Sequence, residues 1–501
     1  MRRPVAFALL ATVLAALAFV SAAYADPNNN NSAKLRAAVT LEGVRAHQLA
    51  LQQIATANGG NRFSGLPGYD KSVAYVVEKL KAAGYDPVVQ PFDYLAYGVV
   101  GPSVLQQTAP GSITYVEGVD FEPIEQTDPG DVTAPVTPVD LQLGLGNTST
   151  SGCEAADFAG FPVGNIALLQ RGTCTFELKA ENAAAGGAAG IVIFNQGNTA
   201  APDRNGIPAV TLTANNTSGI PVLGTTYALG ATLAGTPGLV MRVFANTVRE
   251  IKTTFNVLAE LPGKNPDNVV MVGGHLDSVI EGPGINDNGS GSAAILEVAE
   301  QMEKVKPWNT VRFAWWGAEE SSLVGSTFYV DSLAAAELDR IALYLNFDMI
   351  GSPNYVRFVY DGSGDIGPTG PEGSAEIENV FNAYFAANGL ATEPTAFDGR
   401  SDYQAFINNE IPAGGLFTGA EGIKTAAQAA VYGGTAGAPY DPCYHQACDT
   451  FANNSSVVLD QMSDAIAHAT ITFAQNTSLV NGEPGKGNFN SPDKINGQAV
   501  R

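Results

Sequence analysis

Residues 269–278 read Val-Val-Met-Val-Gly-Gly-His-Leu-Asp-Ser, and this stretch decides the fold. A short apolar run that is rich in valine and ends in glycines is typical of a buried strand in a parallel sheet. His275 and Asp277 follow directly, so we expect them at the carboxyl end of that strand, where open α/β sheets bind ligands. Their spacing of two puts both side chains on one face of extended chain, so the carboxylate can orient the imidazole.

The same apolar pattern recurs downstream and alternates with helical periodicity. Strands are predicted at 269–272, 311–316 and 343–347, and helices at 292–305 and 333–341. This alternation is typical of an α/β fold with a mainly parallel central sheet and helices on both faces. Upstream, the patterns predict helices at 35–57 and 70–83, the second with Asp70 as its cap and Gly84 at its end, and an extended segment at 88–94.

Residues 127–246 have a different texture, with short β-type runs separated by Gly, Pro and Asn. The runs lie at 166–169, 191–194, 209–212 and 222–223, and one helix is predicted at 176–185. The simplest organisation is one α/β domain, at 26–126 and 247–478, that is interrupted by this β-rich insert. A tail at 479–501, rich in Asn and Gly, is expected to be flexible.

The first 25 residues have the three parts of an export signal. Arg2 and Arg3 are followed by an almost wholly apolar run at 5–20, and then by small residues at Ala23 and Ala25. A membrane anchor is the alternative, but the apolar run is short for a span. We therefore expect a secreted protein, extracellular or periplasmic, that is cleaved after Ala25.

Composition restricts the partners. The chain has 501 residues, of which 49 are acidic and 26 basic, and its formal net charge is −23. Such an excess of acid disfavours nucleic acid and anionic membrane surfaces, so we expect neither as a partner. Charged residues make up 15% of the chain and hydrophobic residues 45%, as in a folded globular protein. We expect this protein to act as a monomer.

The four cysteines fall in two pairs that are close in sequence, Cys153 with Cys174 and Cys443 with Cys448. An exported protein is oxidised by default, so two local disulfides are expected. Four cysteines allow three pairings, and proximity in sequence is the reason for choosing this one. A cysteine-ligated zinc is the alternative, but the CxxC spacing that it needs is missing from the sequence.

Side chains that can ligate metals are concentrated in a few short segments, each at the end of an apolar strand or in a glycine-rich loop. They are His275, Asp277, Asp287, Glu319, Glu320, Asp348 and His445. Adjacent carboxylates such as Glu319 and Glu320 repel each other unless a cation relieves the repulsion, and a charge buried at a strand end is costly. Taken singly, Asp287 is also typical of a turn or a helix N-cap, and the glutamate pair of a solvated first helical turn.

The sequence contains four histidines. His47 and His468 lie in helical patterns without acidic clusters in sequence, and we interpret them as ordinary helix residues. The remaining two histidines, together with the carboxylates, suit Zn²⁺. Five ligands with one shared carboxylate would serve two ions about 3.5–4 Å apart, the geometry of co-catalytic metal sites. These residues give no prediction about Ca²⁺.

This series of motifs resembles the M28 family of zinc aminopeptidases, over roughly 35–126 and 247–475. The motifs are His275-x-Asp277, Asp287 in a Gly/Asn loop, Glu319-Glu320, Asp348-Met349-Ile350-Gly351 and Tyr444-His445. The resemblance implies two zinc ions per chain. One would be held by His275 and Asp348, the other by Glu320 and His445, and Asp287 would bridge the two.

The resemblance also implies the other roles. Glu319 would be the general base that takes a proton from the attacking water and later gives it to the leaving amine. Tyr444 would donate a hydrogen bond to the oxyanion, and Asp277 would orient His275. The substrates would be peptide or protein N-termini.

Three further residues are implied in substrate binding. The resemblance places Arg400 along the cleft, and Met349 and Phe417 in the wall of an apolar pocket that favours large apolar N-terminal residues. Simple core packing is the alternative for Met349 and Phe417. The insert, with its Cys153–Cys174 pair and the stretch at 170–176, resembles a protease-associated (PA) domain. We expect it to border the cleft and to limit the access of large substrates.

Three other functions fit parts of the pattern. A metallo-carboxypeptidase on the same scaffold would need cationic side chains for the substrate carboxylate, and Arg400 is the obvious candidate. A cyclising acyltransferase would use one zinc, against which the five-ligand set argues. A non-catalytic binding ectodomain would be expected to lack a ligand or the base, and this sequence has both.

Overall fold

The computed structural model describes residues 31–485. The predicted export signal, with its cleavage position, lies outside the described residues, as does the tail from 486 onward. None of the described helices is both long and apolar enough to cross a membrane.

The described strands form two eight-stranded sheets. In chain order the strands are β1 Val88–Val99, β2 Val104–Ala109, β3 Ile113–Thr114, β4 Phe121–Pro123, β5 Gly130–Pro138, β6 Ile166–Gln170, β7 Gly190–Phe194, β8 Val222–Thr225, β9 Val240–Ala245, β10 Thr247–Leu261, β11 Asn265–His275, β12 Asn309–Trp316, β13 Ile341–Phe347, β14 Phe358–Tyr360, β15 Glu393–Thr395 and β16 Ala413–Phe417.

The helices lie mostly in the first and last thirds of the chain. They are α1 Ser32–Ala38, α2 Leu41–Ala57, α3 Pro67–Ala82, α4 Phe176–Ala185, α5 Tyr227–Ala234, α6 Gly289–Met302, α7 Val324–Ser332, α8 Ala335–Leu338, α9 Ser374–Ala387, α10 Tyr403–Ile407, α11 Ala426–Tyr432, α12 Ser456–Gln475 and α13 Ser478–Asn481.

The first sheet has the order β1-β10-β12-β11-β13-β16-β14-β15, and its central strands β12, β11, β13 and β16 run parallel. Alternate residues of β11 point to opposite faces. Val270 and Val272 pack in one apolar cluster with α2, α3, α6 and α12, whereas Val269 and Met271 pack in another with α7 and α10. The prediction of an α/β sheet covered by helices on both faces is confirmed.

The second sheet has the order β3-β2-β9-β5-β6-β7-β8-β4, with β5, β6, β7 and β8 parallel. Its strands are short and its own apolar clusters are separate from those of the first sheet. The sheet begins at β2, so the predicted division between residues 126 and 127 falls inside it. The predicted run at 209–212 forms only an isolated bridge between Thr211 and Glu125, because Thr213 turns the chain with φ 63°.

Several helix boundaries differ from the predictions. α3 begins at Pro67, which fits the first turn of a helix because it lacks an N–H, and Asp70 lies in that turn without capping it. α6 begins at Gly289 with Asn288 as its N-cap. Within the predicted helix at 333–341 only α8 is helical, because Leu333 is the extended C-cap of α7 and Ile341 already begins β13.

Both predicted disulfides are present. Cys153 joins Cys174 in the second sheet's domain, and Cys443 joins Cys448 in the loop between α11 and α12. The second disulfide closes a ring of only a few residues around Tyr444 and His445. This ring lies beside the carboxyl ends of the first sheet's strands, since His445 within it contacts Glu320 after β12.

Candidate metal centre

The carboxyl ends of three parallel strands carry the candidate ligands. His275 is the last residue of β11 and pairs in register with Trp316, the last residue of β12. Glu319 and Glu320 follow β12, and Asp348 follows β13 directly. Parallel strands bring their carboxyl ends to one edge, so residues far apart in sequence meet there.

Asp287 lies at the centre of the cluster. One of its oxygens, Oδ1, is 3.2 Å from His275 Nε2, and the other, Oδ2, is 3.3 Å from His445 Nε2. Asp348 Oδ1 lies 3.3 Å from His275 Nε2, and Glu320 Oε2 lies 3.1 Å from His445 Nε2. The two imidazoles therefore each have a carboxylate of their own and share the carboxylate of Asp287.

Several buried atoms of the cluster have no hydrogen-bond partner within residues 31–485. They are both ring nitrogens of His275, Oε1 of Glu320, Oδ1 of Asp348 and Oδ2 of Asp277. A buried polar atom without a partner is costly, and such atoms call for an explanation such as a bound ion. Imidazole nitrogens and carboxylate oxygens are the donor set that Zn²⁺ accepts. The residues present therefore fit a metal site.

The electrostatics agree with this interpretation. Burial opposes the charge on His445, but its contacts with Asp287 and Glu320 outweigh burial and raise the pKa of His445 to about 11. Burial, reinforced by the charge of Asp287, raises the pKa of Glu320 to about 7. Burial also raises the pKa of Glu319 well above its usual range. Acids crowded out of water in this way gain most from a divalent cation.

The two glutamates differ in position. Glu320 is within 3.1 Å of the His445 ring, whereas Glu319 Oε2 is 3.8 Å from His275 Nε2, farther than either aspartate. The backbone N–H of Glu319 donates to Asp277 Oδ1, 3.3 Å away, and the same oxygen lies 3.5 Å from His275 Nδ1. Asp277 thus holds the backbone at Glu319 and places its carboxylate beside the imidazole of His275.

The Asp287 loop is held by residues that no motif in the sequence predicts. Asp449 accepts the backbone N–H groups of Asn286 and Asp287 at 2.8 and 2.9 Å. Asn288 caps α6 and also accepts the N–H of Met349 at 3.2 Å, which ties the loop to the end of β13. Asp449 follows Cys448 directly, but its contact with a loop more than 160 residues away has no local signal in the sequence.

A second missed group supports Asp348. Ser401 Oγ donates to Asp348 Oδ2 at 2.7 Å and accepts from Asn346 Nδ2 at 2.8 Å, so one carboxylate oxygen is occupied and the other faces His275. The next residue, Asp402, is fully buried, and neither of its oxygens has a hydrogen-bond partner among the described side chains. Burial raises the pKa of Asp402 to about 7.

Tyr444 and His445 stack on each other with ring centroids 3.8 Å apart. Arg400 Nη2 donates to Tyr444 Oη at 3.1 Å, and Arg400 Nη1 donates to Glu421 at 2.8 Å. The tyrosine oxygen is therefore held as an acceptor, with its own O–H directed elsewhere. The His445 side chain is 42% exposed while that of His275 is 1% exposed, so one side of the centre is open.

A cleft of about 520 Å³ opens over this cluster. Its lining contains the predicted substrate residues Met349, Phe417 and Arg400, together with Tyr360. One lining residue, Glu125, comes from the chain between β4 and β5 of the second sheet. The cleft thus has an acidic floor, an apolar wall and one edge to which the second sheet's domain contributes Glu125.

Comparisons with known proteins agree with the fold and the cluster. The profile of peptidase family M28 matches residues 256–470, and that of the PA domain matches residues 132–233. An aminopeptidase of Pseudomonas aeruginosa (strain UCBPP-PA14) is 56% identical over 434 residues, which cover 86% of this chain and 81% of that protein.

Less similar relatives also match over most of the length of this chain. Leucine aminopeptidase 2 of Arthroderma otae is 40% identical over 455 residues, covering 89% of this chain and 86% of that protein. Among solved structures, an aminopeptidase from Aneurinibacillus sp. strain AM-1 is similar with a TM-score of 0.68 at 27% identity, over 91% of this chain and 98% of that one.

Fold and site together define an α/β hydrolytic enzyme with a candidate metal centre at the carboxyl ends of its parallel strands. The chain belongs to peptidase family M28 and contains a PA domain. The predictions of this family, of the PA domain and of an enzyme of the aminopeptidase class are thereby confirmed.

Proposed function

We propose that this protein is a secreted dizinc aminopeptidase that removes N-terminal residues from peptides, with a preference for large apolar ones. The observation that carries the proposal is the position of Asp287. Its two oxygens face two different imidazoles, and each imidazole has a further carboxylate beside it. This arrangement offers two adjacent positions for metal ions with one shared ligand.

His275, Asp348 and Asp287 would hold one zinc ion, and His445, Glu320 and Asp287 the other. Bound there, zinc would polarise the scissile carbonyl and make water more acidic. Ser401 would fix the rotation of Asp348, and Asp449 would fix the backbone at Asp287, so the ligands are held in place before a substrate arrives.

Glu319 is proposed as the general base. It lies beside the ligands but is farther from His275 than either aspartate, which leaves its carboxylate available for proton transfer. Its Oε atoms would take a proton from the attacking water and later deliver it to the nitrogen of the leaving amine. Asp277 holds the backbone N–H of Glu319 and so helps to set this geometry.

Tyr444 is proposed to donate a hydrogen bond to the tetrahedral oxyanion. Arg400 occupies the phenolic oxygen as a donor, which leaves the hydroxyl hydrogen of Tyr444 free to turn toward the cleft. A fixed donor at this place stabilises the charge that develops in the transition state.

The charge distribution favours an amino-terminal substrate over a carboxyl-terminal one. Arg400 is paired with Glu421 and with Tyr444, so it is not free to bind a substrate carboxylate. The surrounding carboxylates instead suit an α-ammonium group. This pairing argues against the metallo-carboxypeptidase alternative.

The apolar wall of the cleft supports the proposed preference for large apolar N-terminal residues. Met349 is 3% exposed and follows the ligand Asp348, and Phe417 stacks on Phe358 with centroids 6.0 Å apart. The relative named leucine aminopeptidase is consistent with such a preference. Export is supported by the two disulfides, since such bonds persist in oxidising compartments.

The decisive experiment is a panel of aminoacyl chromogenic substrates, assayed with and without a chelator, together with elemental analysis of the purified protein. We expect hydrolysis of Leu, Met and Phe substrates, loss of activity with chelator, and recovery with Zn²⁺. Phe417→Ala should reduce kcat/KM for the Leu substrate about 10-fold relative to the Ala substrate. Activity that is insensitive to chelation, or protein that cannot be loaded with a transition metal, would overturn the proposal.

A further inference from the structure

We propose that His47, Glu297 and Glu300 form a separate zinc site that joins α2 to α6 and has no part in the catalytic chemistry. We call these three residues the α2–α6 cluster. The proposal goes beyond the aminopeptidase function, because the cluster lies on the face of the first sheet that α2, α3, α6 and α12 cover, and it contains none of the residues that line the cleft.

The distances within the cluster fit a bound ion. His47 Nε2 lies 3.6 Å from Glu297 Oε2 and 3.9 Å from Glu300 Oε2. The three ligand atoms lie within 4.8 Å of one another. Two ligands on a tetrahedral zinc at about 2.0–2.2 Å are separated by roughly 3.4 Å, whereas a direct N–H···O bond spans about 2.7–3.2 Å. The atoms are thus too far apart to hydrogen-bond and suitably spaced for an ion between them.

The imidazole gives a second and independent observation. His47 is 3% exposed, and its Nε2 atom has no hydrogen-bond partner in the described part of the chain. Its other ring nitrogen, Nδ1, lies 2.8 Å from Tyr75 Oη. When Nδ1 donates to the tyrosine oxygen, the lone pair of neutral Nε2 points at the two carboxylates, a contact that becomes favourable when Nε2 binds a metal cation or a proton.

The two carboxylates are arranged as ligands. Glu297 is 5% exposed, and its Oε1 atom accepts from Thr40 N–H at 3.4 Å and from Gln301 Nε2 at 3.3 Å, so Oε2 remains to face His47. Glu300 lies one turn further along α6, and like charges at this spacing destabilise a helix unless a cation lies between them. Lys79 on α3 is a nearby positive charge that acts on Glu300.

The candidate metal centre around His275 has the same arrangement of a buried imidazole beside carboxylates. There too a buried imidazole Nε2, that of His275, faces carboxylate oxygens at 3.2–3.8 Å and has no partner among residues 31–485. One imidazole with two carboxylates suits Zn²⁺, whereas Ca²⁺ and Mg²⁺ prefer oxygen ligands throughout. The side chain of Glu300 is 24% exposed, so water can complete the coordination.

The site would brace the helix that follows Asp287. α6 begins at Gly289, and Glu297 lies eight residues further on, roughly 12 Å along the helix axis. The α2–α6 cluster therefore lies about two helical turns beyond the start of α6. The interpretation of His47 as an ordinary helix residue did not include these carboxylates, because they come from another helix about 250 residues away.

The test compares the wild type with His47→Gln and Glu300→Gln. Glu303→Gln is the matched control, since Glu303 is an exposed glutamate at the end of the same helix. Each full-length protein is stripped with chelator, dialysed against micromolar free Zn²⁺ and analysed for zinc per chain. We expect both cluster variants to bind one zinc ion fewer than the wild type and the control, with an unchanged rate of leucyl-substrate hydrolysis.

Equal zinc content in all four proteins would overturn the proposal. Crystals of the zinc-loaded wild type supply a second measurement, the anomalous difference map at the zinc edge, in which a peak is expected between His47 and Glu297. If His47→Gln does not fold, Glu300→Gln carries the comparison because its side chain is partly exposed. Zinc missing from the His275 and His445 cluster would instead contradict the proposed function, so the two failures are distinguishable.

Discussion

The two sheets of this protein have the same number of strands and a parallel central part. They differ in the side chains at the ends of their parallel strands and in how those side chains are hydrogen-bonded. The second sheet ends β6 in Gln170, follows β7 with Asn195 and ends β8 in Thr225, all of them neutral and buried. Gln170 Nε2 donates to two backbone carbonyls, and Asn195 Nδ2 donates to two others. These polar strand ends are thus satisfied by backbone carbonyls of the same domain.

In the first sheet, the side chains at or just after the ends of the parallel strands are an imidazole and carboxylates instead. His275, Glu320 and Asp348 each keep at least one buried atom without a hydrogen-bond partner in the described structure. Since both sheets bury their strand ends equally well, burial alone does not mark the functional site. What marks it is a cluster of imidazoles and carboxylates that face one another while several of their buried atoms have no hydrogen-bond partner among the described residues.

The largest effect is expected from Asp287→Asn, because this substitution removes the carboxylate that both proposed metal positions share. We expect zinc content to fall and activity to drop to the background level. Elemental analysis and hydrolysis of a leucyl substrate measure both effects. Asp203→Asn, at an exposed position in the second sheet's domain, is the control. Full zinc content with normal turnover in Asp287→Asn would remove the bridging role.

Glu319→Gln is expected to lower kcat by about 10²–10⁴-fold while zinc content is retained, because the amide keeps the shape of the side chain but cannot accept the proton. The measurement is steady-state kinetics together with metal analysis on the same sample. This variant distinguishes a role of Glu319 in proton transfer from a role in metal binding. Loss of zinc in Glu319→Gln would instead make Glu319 a ligand.

Asp277→Asn is expected to weaken metal affinity about 10–100-fold, since the carboxylate beside His275 Nδ1 would no longer orient the ring as a charged acceptor. Titration with a competing chelator measures this affinity. At saturating zinc most of the activity should return. A variant that stays inactive at saturating zinc would give Asp277 a direct role in the reaction.

Gln170→Ala tests the second sheet and should have the smallest effect on rate. It breaks hydrogen bonds to the backbone of Gln142 and Gln196, so the local free energy of opening of β6 and β7 should fall by about 1–3 kcal/mol. Hydrogen exchange of these strands measures that change, while kcat per folded molecule should equal that of the wild type. A large loss of kcat would contradict the separation of roles between the two sheets.

The sequence determined much of this protein by local means. Apolar runs such as 269–272 predicted the buried strands, and the ligand-type residues at their ends were visible because strand ends and glycine loops rarely carry so many acids and histidines. Helix boundaries were less accurate, as at Pro67 and Gly289, because capping depends on contacts that periodicity does not report.

Only the tertiary structure decided which distant groups meet. It brought Asp449 to the backbone of Asp287, Ser401 to Asp348, and Glu297 to His47. The physical reason is that a strand or helix pattern reports what an element buries, whereas hydrogen bonds and ligand spacing depend on register and packing between elements. His47 and His468 look alike in sequence, and their surroundings alone distinguish them.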